Sequence, residues 1–146
     1  MDAIIQNGTS GLFGSVGAVA KMRNPIQAAK MLLRNQISPS KSEKAAGLVQ
    51  PSILIGSGAE EWCVKNSGFL DLCDNIQLIS PESEREFKKH SKTLNLHGVE
   101  KTGVQDTVGA IHFNVSPQGE PSIAAGLSSG GSIMKCPGIY LNLNVH

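Results

Sequence analysis

The sequence predicts an α+β domain, and three observations carry that expectation. Apolar runs of strand length come in neighbouring pairs, within residues 3–20 and again within 108–125, with turn residues between the partners. Between the pairs lie two helical start signals, Asn24-Pro25 and Ser80-Pro81, each followed by apolar residues at helical spacing. The chain has 146 residues, 40% of them hydrophobic, which suffices for one modest core.

Taken in order, Ala3-Ile4-Ile5 opens a strand and Asn7-Gly8 signals a hairpin turn, so a second strand is expected over Ser15-Val16-Gly17-Ala18-Val19-Ala20. The small residues of that second run suit close packing under a helix. Asn24 as cap and Pro25 at the first helical position start the helix, and Ile26, Ala29, Leu33 and Ile37 define its buried face. Ser38-Pro39 ends it, and residues 38–51 form a polar connector. Ile53-Leu54-Ile55 is a short apolar strand that runs through Gly56-Ser57-Gly58 into a helix, with Trp62 directed to the core. The glycines invite a phosphate-binding reading, but Glu61 stands where a dinucleotide fingerprint needs its third glycine, and the P-loop Lys-Ser/Thr is absent. A tight strand-to-helix turn is the reading that remains.

Ser80-Pro81 opens a further helix in which Glu84 and Lys88 pair at i,i+4 while Phe87 and Leu94 face the core. Lys88-Lys89-His90-Ser91-Lys92 reads as a solvated helix face, with nuclear targeting as the alternative. Residues 97–106 contain two glycines and no periodicity, as a mobile linker would. Val108, Ala110 and Ile111 then begin a strand, Ser116-Pro117-Gln118-Gly119 turns it, and Ile123-Ala124-Ala125 returns.

A formal charge of +1 gives no electrostatic case for binding nucleic acid or a membrane surface. No apolar run approaches the roughly 20 residues of a membrane helix, and the amino terminus lacks the layout of a signal peptide. These features read as an intracellular protein of the cytoplasm, the nucleus or both. Cys63, Cys73 and Cys136 are scattered, with no Cys-x-x-Cys and no paired histidines, so they read as reduced structural thiols. No metal and no cofactor is expected from them.

The chemistry concentrates at Asp106-Thr107, where a polar linker meets an apolar strand. A threonine hydroxyl at neutral pH is a poor nucleophile and needs a base beside it. A free α-amine, with an unperturbed pKa of about 7.7–8.0, can be that base. Thr107 gains such an amine only if the Asp106-Thr107 bond is broken. In the uncut chain the same hydroxyl could attack the Asp106 carbonyl, carry the acyl group as an ester, and let water complete the cut.

Thr107-Val108-Gly109-Ala110, Ser128-Ser129-Gly130-Gly131 and Lys135-Cys136-Pro137-Gly138 together resemble the start of the β-subunit in the type 2 asparaginase family of amino-terminal-nucleophile hydrolases. Asp106 before the threonine and the Ser128-Ser129 pair look most like the threonine aspartase branch. The resemblance implies a four-layer αββα sandwich, incomplete at both ends, in which residues 1–106 form the later part of an α-subunit and residues 107–146 the start of a β-subunit, divergent after 138. It implies Thr107 as nucleophile, Ser129 as its supporting hydroxyl, and Asp106-Thr107 as the self-cleavage site. It also implies cleavage of protein or peptide substrates after aspartate, and an αβ heterodimer that dimerises again. Asparaginase or isoaspartyl peptidase activity is the alternative within the family. Ile139 stands where the family pattern has a carboxylate-gripping arginine, so the chain also reads as a partial, noncatalytic form that binds a full-length copy. On that reading the chain alone would neither cut itself nor turn over substrate.

Overall fold

In a computed structural model of the chain, residues 1–38, 46–67, 72–94 and 107–131 are described. They form a mixed α+β fold of one five-stranded sheet and three helices, consistent with part of an αββα sandwich. Strand β1 (Asp2–Asn7) pairs antiparallel with β2 (Phe13–Gly17), and helix α1 (Pro25–Ile37) crosses back over both. Strand β3 (Ile53–Ile55) adds parallel to β2 at one edge and leads directly into α2 (Gly56–Ser67). A 3₁₀ turn (Asn75–Leu78) precedes α3 (Pro81–Leu94). Strands β4 (Val108–Val115) and β5 (Pro121–Ser129) form an antiparallel hairpin, and β5 docks on β1 to give the order β3-β2-β1-β5-β4.

The core lies between the sheet and its α1–α2 layer. Ala3, Val16, Val19, Met22, Ala28, Ala29, Leu32, Ala59 and Cys63 are sealed there, with Trp62 partly buried against them as its apolar bulk suggests. Contact between α1 and β2 is close because Gly14 has no side chain: a Cβ there would lie 2.7 Å from the Leu33 amide nitrogen and collide with the Ala29 carbonyl.

Several expectations need correcting. The second strand ends at Gly17, because Ala18 turns into the left-handed region at φ 52° and takes the chain out of the sheet. Asn7 does not make a two-residue turn; its Oδ1 accepts the Thr9 and Ser10 amides, and the connection runs to Leu12. Asn24 precedes α1 without a side-chain cap bond, so Pro25 is the start signal that holds. The buried stripe of α1 is Pro25, Ala28, Ala29, Leu32 and Leu33, which leaves Ile37, one turn further, half exposed. On α3 the Glu84–Lys88 pair forms at 2.6 Å, but Phe87 is solvent-facing because α3 does not pack broadly on the sheet. The Leu94 side chain, the 97–106 linker, Cys136, Lys135 and Ile139 lie outside the described residues. Cys63 and Cys73 carry no disulfide among the described residues.

Candidate active site

The β4–β5 hairpin brings the two predicted hydroxyls together. Its register pairs Val108 with Ser128, so the next residues outward, Thr107 and Ser129, face one another at its open end. Opposed residues in an antiparallel ladder share a face. The Thr107 hydroxyl donates to Ser129 Oγ at 3.3 Å, a long bond between groups 22 residues apart in sequence. Ser129 Oγ also accepts the Gly131 amide at 3.1 Å, which fixes the serine rotamer from the backbone side. Gly131 itself has φ 89°, a left-handed conformation that glycine adopts without steric cost. Thr107 is exposed and Ser129 half-buried, so a reactant has access to the threonine oxygen. Asp106, the other half of the predicted cleavage site, lies outside the described residues.

The two faces of the sheet differ around this pair. Gly14, Val16 and Gly126 are directed at α1, whereas Thr107, Gly109, Leu127 and Ser129 belong to the opposite face. An open apolar hollow beside α1, lined by Ile5, Ile26, Val108, His112 and Gly126, is therefore on the wrong side of the sheet for the hydroxyls.

Pattern alone missed two buried carboxylates, one of them beside Ser129 in the sheet. Asp2 is 1% exposed, is the direct ladder partner of Ser129, and accepts the Ala18 amide on Oδ1 at 2.8 Å. Glu60, also buried, accepts the Ala20 and Lys21 amides on Oε1 at 2.7 and 2.9 Å. The two carboxylates hold the loop that leaves β2, as buried charges do when backbone donors replace water. Asp2 had a signal in the sequence: aspartate is depleted in strands, yet it sits at the start of Ala3-Ile4-Ile5.

Burial pushes the Cys63 thiol up from 9.0 to about 11, which makes it a protonated, unreactive packing group in place of a nucleophile. No cluster of three potential metal-ligating side chains occurs among the described residues, and none of their helices is long and apolar enough to cross a membrane.

A family model described as Asparaginase, of type 2, matches residues 1–139. The match covers nearly the whole chain, including both hydroxyls and the strands that hold them. The chain belongs to the type 2 asparaginase family of hydrolases.

Proposed function

We propose that this chain is a threonine-type hydrolase of the threonine aspartase kind, with Thr107 as nucleophile. The observation that supports it most is the Thr107 Oγ1 to Ser129 Oγ hydrogen bond at the open end of an exposed hairpin. In the uncut chain Thr107 Oγ adds to the Asp106 carbonyl carbon, and the proton from Oγ passes to the departing Thr107 nitrogen as the peptide C–N bond breaks. The acyl group then rests on Oγ as an ester. Water hydrolyses that ester, releases the Asp106 carboxylate, and leaves Thr107 with a free amine. That amine takes the proton from its own Oγ in each later turnover, while the Ser129 hydroxyl holds the oxygen in place. The substrate is a protein or peptide cut after aspartate, and the product of self-cleavage is an αβ heterodimer that pairs with a second copy.

The family assignment equally favours asparaginase or isoaspartyl peptidase activity, in which the same threonine attacks a side-chain amide or an isoaspartyl bond. A third reading, a binding-only form, draws support from the apolar residues Ile111 and Phe113, exposed further along β4 on the face that carries Thr107. One set of measurements separates the three. Intact mass after incubation at neutral pH should show two fragments with a new amino terminus at Thr107, and Thr107→Ala should abolish them. Hydrolysis of an aspartate-containing peptide but not of asparagine or an isoaspartyl dipeptide selects the first reading, and the reverse selects the second. An unchanged mass with tight association to a full-length relative selects the third.

A further inference from the structure

We infer that Asp2 is a positioning residue for the nucleophile, acting through the Gly131 backbone on Ser129; the inference rests on the hydrolase reading of Thr107. Three contacts carry it. Asp2 stands directly opposite Ser129 in the β1–β5 ladder, on the same face of the sheet. A Cβ built on Gly131 would lie 3.2 Å from Asp2 Oδ2, so the carboxylate occupies the space beside Gly131 where a side chain would stand. The Gly131 amide in turn donates to Ser129 Oγ, the oxygen that receives the Thr107 hydroxyl.

The order of support is therefore Asp2, Gly131, Ser129, Thr107. The carboxylate is itself anchored from below, because Oδ1 takes the Ala18 amide where the backbone is left-handed. A carboxyl group that is 1% exposed and bonded to the Ala18 amide has little freedom to move, and it limits the movement of what packs beside it. A catalytic oxygen displaced by about 1 Å can lose on the order of a hundredfold in rate, so placing Ser129 is a function in itself. Glu60 gives the contrast. It is a second buried carboxylate on the same loop, but its partners are Ala20 and Lys21, away from Gly131. Because Glu60 holds the loop independently, and Met1 exchanges backbone hydrogen bonds with Val19 in the same loop, removing the Asp2 carboxylate leaves the loop its other clamps.

The test compares Asp2→Asn with Glu60→Gln in the 146-residue chain, each crossed with Ser129→Ala. The first readout is the amide resonance and hydrogen-exchange rate of Gly131. Asp2→Asn should shift the resonance and speed exchange there, while Glu60→Gln should leave Gly131 unmoved. The second readout is the rate at which the Thr107 amino terminus appears. Asp2→Asn should slow it by about ten- to a hundredfold, and should slow it no further when Ser129 is already alanine, because both changes act on one oxygen. If Asp2→Asn does not fold, Gly131→Ala perturbs the same contact from the exposed side, and its effect should likewise vanish in the Ser129→Ala background. An unmoved Gly131 amide in Asp2→Asn overturns the inference, as do independent, multiplying effects of Asp2→Asn and Ser129→Ala. Absence of any Thr107 terminus in the wild-type chain defeats the hydrolase reading instead, and the Gly131 amide then still decides whether Asp2 holds that backbone.

Discussion

The sheet has a sealed half and an open half, and the candidate site sits on the seam. Around β1, β2, α1 and α2 the residues Ala3, Val16, Leu32 and Cys63 are essentially inaccessible to solvent. Across β4 every residue is exposed, with Ile111 at 75% and Phe113 at 64%. Strand β5 belongs to both halves, pairing with β1 on one side and β4 on the other. Ser129 is thus anchored from the sealed half, whereas Thr107 rides on the open one. The lesson is a division of labour: rigidity comes from one half, access from the other, and the hydrogen bond between the two hydroxyls joins them.

The largest expected break in this comparison is in the sealed half. Leu32→Ala empties a fully buried position and should cost about 2–5 kcal/mol in urea unfolding. Phe113→Ala should stay within about 0.5 kcal/mol, since most of that ring already faces solvent in this chain. Equal losses at both sites would erase the distinction between the halves.

A smaller effect is expected at the contact between sheet and helix. Gly14→Ala forces a Cβ against the backbone of α1 at Ala29 and Leu33, and backbone yields less readily than a flexible side-chain end. The cost should be about 1–3 kcal/mol, read as a lower urea midpoint together with faster exchange of the α1 amides. A neutral Gly14→Ala would mean that α1 can move away from β2 at little cost.

A further effect is confined to alkaline pH. The unfolded Cys63 thiol ionises near 9.0 whereas the folded one is pushed to about 11, so its contribution is fully present below pH 9.0 and is lost as pH rises toward 11. Urea midpoints should therefore fall more steeply over that interval in the wild type than in Cys63→Ala. Alkylation followed by mass mapping should label the partly exposed Cys73 before Cys63. Labelling of Cys63 at the rate of Cys73 would show the sealed half to be open.

The layout of the candidate site, two hydroxyls at one end of a hairpin, was legible because its signals are local. Thr107 follows a polar linker and precedes a strand, and the turn at Ser116-Pro117-Gln118-Gly119 fixes which residue returns opposite it. An aspartate at the start of a strand marks Asp2 as unusual, but the roles of Asp2 and Glu60 were not legible, because they depend on contacts with residues distant in sequence, Ser129 and the loop at Ala20. Exposure failed for a related reason. Ile37 fits the helical period as well as Leu33 does, and Ile111 fits an apolar strand, yet burial depends on whether another element lies above them. Periodicity tells which residues share a face, and only tertiary packing tells whether that face is covered.

The ladder between β1 and β5 has a consequence for the order in which the molecule assembles. The two hydroxyls are joined by a contact spanning 22 residues, which a hairpin can close within microseconds. The ladder beneath them joins residues roughly 120 apart, and such non-local closure is slow because the chain entropy is lost before the pairing is gained. The hydroxyl pair can therefore exist before it has a foundation, as a solvent-exposed hairpin with no support beneath Ser129. Only when β5 zips onto β1 does Asp2 come alongside Ser129, so on the hydrolase reading the sheet pairing of widest sequence separation is the one that completes the site.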